Sequence, residues 1–136
     1  MSGLQTLYPN ASGAGFGVST NADNVRANTR WLDEWIMFSG DHPDFDSTLT
    51  YTSGKLTEII YAEQTASAVA DGRASGTRIY GKVTLTYTGS ALTKVKKEIS
   101  YNAGSSYAIW VGRAGNAFQN LTYTSGVLTS TTMATS

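Results

Sequence analysis

Leu49-Thr50-Tyr51-Thr52-Ser53-Gly54-Lys55-Leu56-Thr57 decides the fold, because the chain repeats its pattern twice more. Leu85-Thr86-Tyr87-Thr88-Gly89-Ser90-Ala91-Leu92-Thr93 follows 36 residues later, and Leu121-Thr122-Tyr123-Thr124-Ser125-Gly126-Val127-Leu128-Thr129 another 36 beyond that. Each copy alternates apolar residues with Thr, breaks at a Gly/Ser pair and resumes the alternation. That is the pattern of a β-hairpin, with a tight turn at the glycine. Three related hairpins are therefore expected over 47–136. If the copies are equivalent, Leu49, Leu85 and Leu121 should be buried, with Tyr51, Tyr87 and Tyr123 on the same face.

The middle copy has the cleanest strand. Ile79, Gly81, Val83, Leu85 and Tyr87 alternate with Arg78, Tyr80, Lys82, Thr84 and Thr86, so one face is buried and the other is basic and hydroxylated. Its return strand places Val95, Ile99 and Tyr101 inward. Lys97 falls on the same side and Leu92 is out of phase. A bulge near Lys96–Lys97, or an edge position for this strand, would reconcile the pattern. Lys94, Lys96 and Lys97 are edge guards or a partner contact.

Upstream, residues 23–46 read as a helix and an acidic turn. Asn21 or Asp23 can cap a helix running to Phe38, with Val25, Leu32, Trp35 and Ile36 on its apolar face and Trp31 at the margin. Gly40 and Pro43 end it. Trp31 and Trp35 are core or interface anchors, with a stacking platform for sugars as the alternative. Asp41, Asp44 and Asp46 flank the lone His42. They form a surface turn, or hold a hard cation through oxygen ligands.

Residues 1–22 carry no charge and only scattered apolar side chains. They are expected to form an extended N-terminal arm that docks on a neighbour through Leu4, Leu7, Tyr8 and Phe16. Charge is confined to the middle of the chain. Eight acids and three bases lie between Asp23 and Glu63, and two acids and seven bases between Asp71 and Arg113. This split suggests that copies attract one another through opposite halves.

Zero cysteines exclude a disulfide framework and any thiolate metal site. No apolar run approaches a membrane span, and no export signal is expected. The zero net charge offers no field for nucleic acid, so no sequence-specific nucleic-acid partner is expected. Charged residues are 15% of the chain, which leaves a hydroxyl-rich surface poorly protected against association. Asp33, Glu34, Asp41, Asp44 and Asp46 are the candidate acids for glycoside hydrolysis. No phosphate loop, metal-binding His pair or nucleophile elbow accompanies them, so no catalytic residue or cofactor is assigned.

The hairpin phrase, from Leu49 to Tyr61, Leu85 to Tyr101 and Leu121 to Thr132, resembles one found in bacteriophage virion proteins of the capsid decoration, tail-associated and fibre types. It is loosely similar to the Tyr-Asp repeats of bacterial surface shells, although Thr52, Thr88 and Thr124 stand where those repeats carry an acid. The resemblance implies a non-enzymatic structural protein, located in a phage particle and made in the host cytoplasm, that binds other virion proteins and copies of itself. A carbohydrate- or receptor-binding module is the alternative, with Trp31, Trp35, Trp110 or Tyr80 stacking on a glycan. The fold expected is mainly β: an antiparallel hairpin-repeat sandwich or barrel-like sheet, with one N-terminal helix and the arm, in a single domain.

Overall fold

The computed structural model describes residues 32–66, 76–102, 104–110 and 116–136. The expected arm, with Leu4, Leu7, Tyr8 and Phe16, lies outside the described residues, as do the first part of the expected helix and Trp31.

The protein is mainly β. Its strands are β1 (Phe45–Thr52), β2 (Lys55–Glu63), β3 (Tyr80–Thr88), β4 (Ala91–Ser100), β5 (Ala108–Ile109), β6 (Phe118–Thr124) and β7 (Val127–Ala134). They form one antiparallel sheet in the order β1-β2-β3-β4-β6-β7, with β5 pairing β4 beyond the end of β6. Each Leu-Thr-Tyr-Thr segment is the outgoing strand of a hairpin, as its alternation requires.

The hairpins neither stack into a sandwich nor close into a barrel. Each connection returns the chain to the same end of the sheet and lays the next hairpin beside the last, and β1 does not pair with β7. All three hairpin turns therefore project from the opposite end. Residue order at the turns sets their type. Ser53-Gly54 and Ser125-Gly126 take positive φ at both positions, as a type I′ turn needs. In the reversed Gly89-Ser90 pair only the glycine does, which matches type II′.

A second device recurs with the turn. Tyr51 pairs with Leu56 but Thr50 with Glu58, so Thr57 is an extra residue on the return strand. Thr93 and Thr129 are extra in the same way. Each bulged threonine donates its hydroxyl back across the hairpin: Thr57 to the Thr50 carbonyl at 3.3 Å, Thr93 to Thr86 at 3.2 Å and Thr129 to Thr122 at 3.1 Å. The bulge expected near Lys96–Lys97 thus sits at Thr93. Because an extra residue inverts the alternation, it brings Leu92 onto the face of Tyr87 and leaves Lys97 opposite Val83. The expected edge position is also corrected, since β4 is an interior strand.

Residues 32–39 form the helix α1. Gly40, at φ +85, ends it by donating its N–H to the Met37 carbonyl at 3.1 Å. The buried face is Glu34, Met37 and Phe38, two residues on and so about 200° around the axis from the expected Leu32/Trp35/Ile36 stripe; Trp35 and Ile36 are exposed. α1 lies on the sheet over Gly81. A Cβ there would come within 2.9 Å of Met37 Sδ and 3.1 Å of Phe38 Cε1, so the missing side chain admits the helix. Met37, Phe38, Tyr61, Ile79 and Val83 form the core, with Phe45, Ile59, Leu85, Val95, Ile99, Tyr101 and Trp110 around them. The core thus occupies the end of one face away from the hairpin turns.

Candidate functional site

Beyond α1, no described element covers that same face as it continues toward the turns. Register places Tyr51 opposite Leu56, Tyr87 opposite Leu92 and Tyr123 opposite Leu128, with Leu49, Leu85 and Leu121 one step inward. The Thr bulges are the reason both leucines and the tyrosine of each hairpin share one face. The result is a Leu/Tyr surface three hairpins wide. Successive tyrosines are two strands and, by the junction register, two residues apart, roughly 12 Å at the usual strand and residue spacings.

Burial is expected for all three repeat leucines, but only Leu85 packs at the margin of the core. Leu49 is 49% exposed, Tyr51 61% and Leu128 47%, while Leu85 and Leu121 are half-buried between neighbouring strands. Met133 adds exposed apolar area to this face on β7, while Val127, paired with Thr124, is exposed on the other face. Contiguous apolar surface of this kind marks interaction sites more often than isolated exposed residues do. Interstrand contacts hold the surface in shape. Tyr87 donates its hydroxyl to the Leu56 carbonyl at 2.9 Å, and Lys55 reaches the Gly89 carbonyl while lying 5.5 Å from the Tyr87 ring centroid.

The sequence-predicted site residues do not converge. Trp35 lies on the outer face of α1. Lys94 and Lys96 are on the sheet face opposite α1, with their ammonium groups 5.4 and 5.9 Å from the Phe118 ring centroid. Lys97 lies on the α1 face, 5.7 Å from the Phe38 ring centroid, where burial pulls its pKa below the ordinary lysine value. The three lysines therefore form no single patch. Glu98 is buried between Lys82 at 3.6 Å and Lys96 at 3.3 Å.

Three of the five candidate acids, Asp33, Glu34 and Asp46, are engaged in structure, while Asp41 and Asp44 lie exposed in the turn. Glu34 is buried and accepts hydrogen bonds from the Tyr101 hydroxyl and from Trp110 Nε1, the latter at 3.0 Å. These bonds fasten α1 to the sheet. Trp110, a candidate sugar platform, is half-buried, with its ring centroid 5.1 Å from that of Phe38. His42 Nδ1 accepts the Asp44 N–H at 3.1 Å, which leaves Nε2 to donate to Asp33 at 3.3 Å. Gln64 donates to Asp46 at 2.8 Å. Among the described residues no group of three or more His, Asp or Glu is placed to hold a metal ion. No helix among them is long and apolar enough to cross a membrane.

The Leu/Tyr surface was hidden from sequence reasoning because its residues alternate as core residues do. Its one signal is a shortage: among the described residues, three hairpins and one short helix offer no second sheet to cover three apolar hairpin faces. No protein-family model, curated protein or solved structure matches this chain.

Proposed function

We propose that the protein is a non-enzymatic structural component of an assembly, binding neighbouring subunits through the uncovered Leu/Tyr face. The observation that carries this reading is that exposed face. A chain that stayed monomeric would be expected to cover or charge it. The resemblance of the hairpin phrase to bacteriophage virion proteins supports a phage particle as the assembly, with other virion proteins and further copies of this chain as partners.

Light scattering across a concentration series tests the reading. The unaltered chain should grow in mass with concentration. A variant with Tyr51→Ser and Leu128→Ser should stay monomeric with its melting temperature little changed, since both side chains are exposed. A chain that stays monomeric throughout, with no bound partner, would refute it. A second reading, glycan binding, draws on the row of Tyr51, Tyr87 and Tyr123, whose rings could stack on successive sugars. Quenching of tyrosine fluorescence by oligosaccharide in a monomeric chain would select it.

A further inference from the structure

The repeat extends to the way the hairpins join. Between the first and second hairpins, Glu58 pairs with Thr84, Ile59 with Val83 and Ile60 with Lys82. Between the second and third, Lys94 pairs with Asn120, Val95 with Gln119 and Lys96 with Phe118. Moving these three pairs 36 places along the chain gives the second junction, pair for pair; the first junction runs on through Tyr61–Gly81 and Ala62–Tyr80, whereas in the second β5 takes over and pairs with Glu98 and Ile99. One operation therefore carries each hairpin onto the next and sets both junctions.

The array stops with two open edges. Among the described residues no strand pairs the outer side of β1 or of β7. Every residue from Asp46 to Thr52 and from Val127 to Met133 is exposed. Edges that stay unpaired are usually guarded by Lys, Pro or inward charges. β7 carries no charge and no proline, and β1 carries only Asp46.

We propose that β7 of one copy pairs antiparallel with β1 of a second copy, continuing the same 36-residue register. Ser130 then pairs with the neighbour's Thr48, Thr131 with Ser47, Thr132 with Asp46 and Met133 with Phe45. The pairs suit one another. No like charges meet, Thr132 offers a hydroxyl to the Asp46 carboxylate, and Met133, 56% exposed in the single chain, covers Phe45 at the margin of the core. The two edges differ, so the contact is head-to-tail and propagates into a ring or filament. It also makes the Leu/Tyr face continuous from copy to copy. The inference rests on the assembly reading above, but places the contact between copies at the sheet edges and leaves the continuous Leu/Tyr face for a further subunit.

Cysteine cross-linking tests it in a chain that has no native cysteine. A chain carrying Ser47→Cys is mixed with one carrying Thr131→Cys and oxidised, and Thr48→Cys is mixed with Ser130→Cys likewise. Adjacent antiparallel pairs alternate in Cα separation, so one of the two mixtures has the geometry for a disulfide. A disulfide-linked heterodimer should dominate in that mixture and be lost when Ser47→Cys is mixed with Met133→Cys, two residues out of register. Hydrogen exchange on the unaltered chain gives a check free of substitutions: amides of 45–48 and 130–133 should gain protection as concentration rises. Assembly by light scattering without in-register cross-links or edge protection would overturn the edge pairing and leave the assembly reading standing. A dominant Thr131→Cys homodimer would also overturn it, in favour of β7–β7 pairing. A monomer at every concentration would overturn both.

Discussion

Substituting Gly81 by Ala tests whether α1 is seated by the absence of one side chain. The added methyl would lie 2.9 Å from Met37 Sδ and 3.1 Å from Phe38 Cε1, both inside ordinary contact distance. Met37 is flexible but fully buried, and the Phe38 ring is buried beside it, so neither can swing into solvent. Overpacking of this sort costs about 1–3 kcal/mol. The gain from replacing a flexible glycine offsets about 0.4–1 kcal/mol. A net loss of about 1–2 kcal/mol is expected, which lowers the melting temperature by several degrees in a domain of this size. Urea denaturation followed by tryptophan fluorescence measures it. A cycle with Met37→Ala isolates the cause. Alone, that truncation should cost about 2–5 kcal/mol, but less when combined with Gly81→Ala, where it also removes the clash. If Gly81→Ala is neutral, or the two changes simply add, the close approach does not seat the helix.

Glu34→Gln keeps an acceptor for only one of the two donors, so Trp110 Nε1 is satisfied only if the Tyr101 hydroxyl turns to accept from the new amide; losing the charged acceptor should cost about 1–3 kcal/mol in urea denaturation. Thr93→Val keeps the shape of the bulged residue but removes its bond to the Thr86 carbonyl; a loss of about 0.5–1.5 kcal/mol is expected, and less at exposed Thr129. Lys97 has a depressed pKa in the folded state, so between that value and the ordinary 10.5 the unfolded chain binds more protons and stability should rise with pH. Burial raises the Tyr61 and Tyr107 hydroxyls from the ordinary 10.0, so their contribution declines from there upward and overlaps the top of the lysine rise; Lys97→Met, which should lack the rise, gives the reference curve. Added sodium chloride should leave the assembly rate nearly flat, because Asp46 is the only charged residue in the proposed pairing; a steep fall would make charge segregation the driving force.

The hairpins were legible because their signals are local. Alternation, a two-residue Gly/Ser turn and a 36-residue return are written in neighbouring residues. Gly40 as the helix stop was legible for the same reason. The bulge position was not, although its evidence was present: Leu92 fell out of phase with Val95, and only an extra residue between them removes the conflict. Lys97 misled the assignment because a lysine on an inner face looks like an error of register, whereas its stem lies along the core with the ammonium near Phe38. The helix face was misread because tryptophan outranks glutamate in any hydrophobic pattern. Glu34 is buried by two specific donors, Tyr101 and Trp110, that lie far along the chain. Sheet closure was beyond reach. Whether three amphipathic hairpins face one another or lie side by side depends on their connections, which carry no such pattern.

The charge split takes another meaning once the hairpins are placed in order. From β1 to β7 the sheet runs acidic, basic and uncharged, so opposite signs meet inside one chain. Lys82 and Lys96 both approach Glu98, Lys94 and Lys96 lie by Phe118, and Asp33 and Asp46 hold His42 and Gln64. What remains at the growing end is an uncharged hairpin, and it would meet the acidic hairpin of the next copy with no cation opposite Asp46. In the proposed pairing, attraction between halves would therefore not set the order of copies. Backbone hydrogen bonds and apolar contact would supply the free energy of that pairing, and the alternation of the strand its specificity. A slip of one residue between β7 and a neighbour's β1 would turn Met133 away from Phe45 and break the continuity of the Leu/Tyr face.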